Sequence, residues 1–150
     1  MTVFNNPPEE QMRALLARVR TIAVVGLSPK PGRPSYEVAS AMQQFGYKIV
    51  PVRPAVAEVL GEKAYADLFH LPQPPDLVDV FRAPEHVDDI VDACITLRFP
   101  ALWLQDGVIN VAAAERARTA GIQVIMDRCV LRDYRAWFQG GNSAAPRPGD

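Results

Sequence analysis

The sequence predicts an α/β fold: a doubly wound, five-stranded parallel sheet between two helical layers. Two observations carry this. Short apolar runs alternate with amphipathic runs at helical spacing, and the apolar runs are continuous rather than alternating, as expected for strands buried on both faces. With 150 residues, 49% hydrophobic and 22% charged, the composition suits one globular domain with a substantial core. That domain is expected over 1–139. The Gly/Pro/Ser-rich stretch 140–150 (GGNSAAPRPGD) reads as a disordered tail. Sixteen Lys and Arg against seventeen Asp and Glu give a net charge of −1, which argues against a nucleic-acid binder. Fourteen prolines are an excess over ordinary usage, so their positions matter.

The elements follow in order. Met12, Leu15, Leu16 and Val19 predict a helix over Pro7–Arg20, with Asn6 as N-cap and Pro7 at the first helical position. Thr21 to Gly26 (TIAVVG) reads as the first strand, and 27–34, with three prolines and a glycine, as a loop. Tyr36, Val38, Ala39, Met42 and Phe45 predict a helix over Ser35–Phe45, closed by Gly46. Lys48–Val52 is the second strand, and Pro51 within it points to a sheet edge or a strand end. A short helical turn is expected over Ala64–His70, then a third strand over Asp76–Phe81. Val87, Ile90, Val91, Cys94 and Ile95 form one stripe of a helix over Glu85–Arg98, with Pro84 at its start. Ala101–Gln105 is the fourth strand. Asn110 caps a helix over Val111–Ala120, Gly121 closes it, and Ile122–Met126 is the fifth strand.

In an open parallel sheet a ligand binds outside the carboxyl ends of the strands, near the point where strand order reverses. Four loops are therefore candidates. The first, GLSPKPGRPS from Gly26 to Ser35, leads from a strand into a helix N-terminus, where free N–H groups and the helix dipole favour phosphate. Ser28 and Ser35 add hydroxyls, and Lys30 and Arg33 add charge. The loop is neither GxGxxG nor a Walker A motif. Prolines 29, 31 and 34 stiffen it into a preformed clamp. After the second strand, Arg53-Pro54 puts an arginine where an NAD enzyme would carry an acid, which leaves NADP or coenzyme A, both with a phosphate on the adenosine ribose. Phe81 could wall an adenine or a pantetheine arm, and Arg82 could meet a phosphate. Gln105 offers a donor and an acceptor, Gly107 permits close backbone approach, and Asp106 is expected to point away from a phosphate.

No catalytic set emerges. His70 and His86 read as surface or half-packed residues outside the cleft. Cys94 reads as core and Cys129, just past the fifth strand, as a packed thiol with more freedom. No metal-ligand spacing or disulfide framework is present. Asp127 and Arg128 suggest a local salt bridge or a ligand contact. Trp137-Phe138 is a candidate docking surface for a protein partner or a second copy, with packing onto the domain's own core the stronger expectation. MTVFNNPPEE is no secretory signal and no apolar run approaches membrane-spanning length, so a cytoplasmic location without a membrane partner is expected.

The run from Ile22 to Pro54, with VLGEKAYADL at 59–68, DLVDVFRAPE at 76–85, WLQDGVIN at 103–110 and VIMDRC at 124–129, resembles the small stand-alone CoA-binding proteins of bacteria and archaea. It covers about residues 10–138. The same Rossmann-like fold is similar to the N-terminal domain of succinyl-CoA synthetase α subunits and related acyl-CoA synthetases. The resemblance implies coenzyme A or an acyl-CoA in the cleft. Gly26, Leu27, Ser28, Lys30, Arg33, Pro34 and Ser35 would surround its phosphates and nucleotide; Arg53, Pro54, Phe81, Arg82 and Gln105 to Gly107 would line the rest. Arg53 stands where the family commonly has Asn, and Asp106 where it has an apolar residue. The synthetases' phosphorylated histidine lies in a separate domain that has no counterpart here, so ligase activity does not carry over. The expected function is binding of coenzyme A or an acyl-CoA without catalysis; the alternative is a small NADP-dependent oxidoreductase.

Overall fold

The computed structural model describes residues 4–139; the tail reading for 140–150 lies outside them. Along the chain come α1 (Glu9–Arg18), β1 (Thr21–Val25), α2 (Pro34–Gln44), β2 (Lys48–Val52), β3 (Glu58–Val59), β4 (Glu62–Lys63) and β5 (Leu77–Val80). Then follow α3 (Val87–Leu97), β6 (Ala101–Leu104), α4 (Val111–Thr119), β7 (Gln123–Ile125) and α5 (Val130–Phe138). Five strands form one parallel sheet in the order β2-β1-β5-β6-β7, while β3 and β4 form a separate antiparallel hairpin. Numbered among themselves, the five run 2-1-3-4-5, so the winding direction reverses between β1 and β5.

Side chains alternate between two cores. Ala23, Val25, Val78, Val80, Leu102 and Leu104 face α3 and α4. Ile22, Val24, Ile49, Leu77, Ala101 and Trp103 face α1, α2 and α5. Helices on both faces explain why the strands are apolar throughout, and each fully buried Leu or Ile among them stabilises by about 1.5–3 kcal/mol. Asp79 breaks the pattern. It is a carboxylate in the middle strand at 2% exposure, on the face that carries Leu77.

Several sequence expectations need correction. Asn6 does not cap α1, which begins at Glu9 behind Pro8. Its amide instead pairs with the backbone of Met126, donating to the carbonyl at 2.9 Å and accepting from the N–H at 2.8 Å. The turn expected over 64–70 is helical only at Leu68–His70, where Asp67 accepts from the Phe69 N–H, and the β3–β4 hairpin was not expected. The helix expected over 85–98 starts as a single 3-10 turn, Pro84–His86, before α3. α5 was also not expected, although Val130, Leu131, Tyr134, Trp137 and Phe138 recur at helical spacing. Phe138 on it is buried and Trp137 is half-buried, with its indole N–H on Glu9 at 2.6 Å, so this pair packs inward.

Pro51 sits in an edge strand, as its missing N–H requires. The open side of β2 is covered by Tyr65, whose N–H donates to the Pro51 carbonyl at 3.0 Å and whose carbonyl accepts from Arg53 at 2.8 Å. Asn110 does cap α4, accepting from the Ala113 N–H at 3.1 Å. Among the described residues, no helix is long and apolar enough to cross a membrane.

Candidate functional site

The carboxyl ends of the strands open into a cleft of about 810 Å³, within the range typical of small-molecule sites. Its wall combines Ser28, Lys30, Arg33, Pro34 and Ser35 from the first loop with Arg53 and Pro54 after β2, Phe81 and Arg82 after β5, and Gln105 after β6. Four of the expected cations thus reach one cleft from three loops: Lys30, Arg33, Arg53 and Arg82. A second cavity of about 440 Å³ shares Arg53, Pro54, Phe81 and Arg82 and adds Gly26, Ala83 and His86. His86 is exposed and borders only this second cavity, outside the main cleft as expected; His70 is exposed and pairs with Asp67.

The first loop is built differently from the N–H cradle its position suggests. Ser28 N–H donates to Ser35 Oγ at 2.9 Å, and Lys30 N–H donates to Ser28 Oγ at 3.1 Å. Gly32 N–H is taken by the Glu37 carboxylate at 2.7 Å and Arg33 N–H by the Lys30 carbonyl at 3.3 Å. Prolines 29, 31 and 34 have no N–H to offer. The loop spends its donors on its own rigidity. What this loop leaves uncommitted toward the cleft are the Lys30 and Arg33 side chains and the first turn of α2, which has no side-chain cap. Leu27 is fully buried in the core, so only its backbone could serve a ligand.

Arg53 Nη1 donates to the Gly26 carbonyl at 3.4 Å, tying the end of β2 to the end of β1. Gly107 is not part of either cavity wall. Its N–H is held by Asp127 at 2.8 Å, so its role is to shape the turn. Asp106 does line the cleft, but Arg132 clamps it through two contacts of 2.8 Å. The same guanidinium hydrogen bonds hold its carboxyl below the usual range. Arg128 pairs with Asp133, at 2.7 and 2.8 Å, rather than with Asp127.

Sequence reasoning missed four apolar contributors to the main cleft, Val38, Ala55, Val56 and Val108, and the Asp79 carboxylate that pairs with the expected Gln105. Gln105 is 4% exposed and donates from Nε2 to Asp79 Oδ1 at 2.6 Å. Burial without a countercharge pushes the Asp79 carboxyl up to about 7, against partial relief from Gln105 and the Val80 N–H. The signal was present in DLVDVF, a carboxylate inside an otherwise apolar central strand. Cys129 also lines the cleft, half-buried at the start of α5.

A reversal point in a parallel sheet, a cleft at its carboxyl edge and converging cations together define a Rossmann-like α/β domain built to hold an anionic ligand. The family model described as CoA binding domain matches residues 20–135, and the chain belongs to that family. It is 39% identical over 127 residues to the uncharacterized protein YneT of Bacillus subtilis (strain 168), covering 85% of this chain and 94% of that one. The solved structure of cell-free ID.343 from Thermus thermophilus is similar at TM-score 0.84 and 34% identity, covering 88% of this chain and all of that one. The dinucleotide forming acetyl-coenzyme A synthetase 1 of Ca. Korarchaeum cryptofilum shares the fold at TM-score 0.64 and 20% identity. There the match covers 73% of this chain and 26% of the synthetase.

Proposed function

We propose that the protein binds coenzyme A or an acyl-CoA across the main cleft and carries out no chemistry on it. The supporting observation is the convergence of Lys30, Arg33, Arg53 and Arg82 on one cleft in a member of the CoA binding domain family. Coenzyme A carries a diphosphate, a ribose phosphate and a long uncharged arm. The four cations match the first two. The neutral wall of Val38, Val56, Val108 and Phe81, with Gln105, suits the arm. The proposed site comprises Gly26, Leu27, Ser28, Lys30, Arg33, Pro34, Ser35, Arg53, Pro54, Phe81, Arg82 and Gln105, with Leu27 acting through its backbone and Gly107 through the turn it shapes.

The test is a thermal-shift comparison of CoA, acetyl-CoA, NADP and NAD on the purified protein. A ligand present at a hundred times its Kd stabilises the folded state by about 2.7 kcal/mol. CoA or acetyl-CoA should therefore raise Tm by several degrees, and NAD should not. A shift with NADP alone would replace this reading by the reductase. No shift with either CoA species at millimolar concentration would remove it.

A further inference from the structure

We propose that Cys129 is a redox modification site that forms a reversible mixed disulfide with coenzyme A; this rests on the CoA-binding reading of the cleft. The two cysteines have opposite settings. Cys94 is fully buried in the α3 core, and desolvation pushes its thiol up to about 12, so it is sealed against exchange. Cys129 lines the cleft and is half-buried.

Its position is pinned from several sides. The Trp103 indole N–H donates to the Arg128 carbonyl at 2.8 Å, just before it. Asp133 N–H donates to the Cys129 carbonyl at 3.0 Å, and the Arg128–Asp133 pair closes the same turn. A sulfur on a backbone held this way loses little freedom when it meets a reaction partner in the cleft.

A second, independent observation points to the partner. Gln105, 4% exposed, lines the same cleft with its Nε2 committed to Asp79. Among the described residues its Oε1 has no donor. Every buried side-chain polar atom there has a partner, so this oxygen must be open to the cleft. It is an acceptor waiting for an N–H. The neutral arm of coenzyme A has two amide N–H groups and ends in a thiol. An arm bonded to Gln105 brings a sulfur into the cleft that Cys129 lines.

The step is thiol–disulfide exchange with CoA disulfide as co-reactant. The Cys129 thiolate attacks one sulfur of the CoA disulfide. A bond forms between Sγ and that sulfur while the old S–S bond breaks. The second CoA leaves as a thiolate and takes up the proton that Cys129 released. Cys129 is oxidised to the disulfide level while the departing CoA is reduced to its thiol, so the step balances with no further oxidant, and a free thiol reverses it.

Purified wild-type protein is incubated with CoA disulfide or, separately, with hydroxyethyl disulfide, and adducts are followed by intact and peptide mass spectrometry. In a parallel arm, reduced CoA is added under reducing conditions and Tm is read. The expected result is one adduct, gained as CoA less two hydrogens, mapping to Cys129 and removed by dithiothreitol. It should form about tenfold or more faster with CoA disulfide than with the small disulfide, because binding places the sulfur beside the thiol. Cys94→Ala should retain the adduct and Cys129→Ser should lose it. If Cys129→Ser does not fold, the peptide map of the wild type decides. A Tm shift with reduced CoA but no adduct, an adduct on Cys94, or equal rates with the two disulfides overturns the proposal and leaves the CoA-binding reading standing. No Tm shift with reduced CoA removes that reading, and this proposal with it.

Discussion

Gly26 runs so close to Phe81 that a β-carbon on it would lie 2.6 Å from the Phe81 carbonyl oxygen and 2.9 Å from Arg82 Cδ. Its φ of +84° is also one that side chains resist. The contact joins the ends of β1 and β5, the two strands between which the winding reverses, and sets the spacing of the first and third loops. Gly26→Ala adds a backbone clash to a left-handed penalty of about 1–2 kcal/mol. It should lower Tm by several degrees in a melting experiment and weaken CoA binding as well. An unchanged melting curve would show that the close approach has no structural weight.

Asp79 predicts a pH dependence with a definite sign. Its carboxyl is pushed up to about 7 in the folded protein, against an ordinary value near 3.8. The folded state therefore holds this proton more tightly than the unfolded chain. The resulting stability is fully present below about pH 4, is lost as pH rises to about 7, and is constant beyond. Over that window the loss is at most about 4 kcal/mol, taking 1.36 kcal/mol for each pKa unit. Asp79→Asn has no proton to lose. Urea unfolding from pH 4 to 8 should show wild type losing stability relative to the variant as pH rises, with parallel curves counting against the account.

Lys30 and Arg33 are exposed on the stiff first loop, whose N–H groups at Ser28, Lys30 and Gly32 are already taken, and on the CoA-binding reading their side chains meet the phosphates. Lys30→Ala or Arg33→Ala should weaken CoA binding by about 1.5–3 kcal/mol at low salt, the usual worth of a hydrogen bond to a charged group. Screening shrinks such contacts, so the variants' affinity should also fall less steeply with added salt. Calorimetry between low and physiological ionic strength checks both. Binding by the variants equal to wild type at every salt concentration would move phosphate recognition elsewhere.

The fold was legible because each of its five strands is a mainly apolar run between breakers, with Asp79 in β5 the one buried charge among them. Pro51 pointed to an edge or a strand end, and the edge is where β2 lies. α5 was legible but overlooked: Val130, Leu131, Tyr134, Trp137 and Phe138 form one helical stripe, and only the partners of that stripe, α1 and α2, lie beyond any local pattern. The hairpin over 58–63 was missed because two-residue strands leave almost no periodicity. At the site, charged residues at strand ends could be read one by one. Whether their backbone donors were free could not: Ser35 Oγ and the Glu37 carboxylate occupy the loop N–H groups through contacts set by how α2 docks. Asp79 was visible as an anomaly, but its partner Gln105 lies 26 positions away, just past the end of the neighbouring strand β6.

The far edge of the sheet makes the last prediction. β7 has β6 on one side only, and an unpaired strand edge exposes backbone groups that need partners. Asn6 supplies them at Met126, just past the end of β7, by accepting from its N–H and donating to its carbonyl as a neighbouring strand would. This also explains why Asn6 is not free to cap α1. Asn6→Ala leaves both Met126 groups to water or to nothing, a cost of about 1–3 kcal/mol if they stay buried. Because Asp127, Arg128 and Cys129 follow directly, the loss should loosen the β7 end of the cleft as well. Amide hydrogen exchange should show faster exchange at Met126 and across 127–129 in the variant, with α2 and the first loop unaffected. Protection unchanged at Met126 would mean that Asn6 merely rests on the edge without closing it.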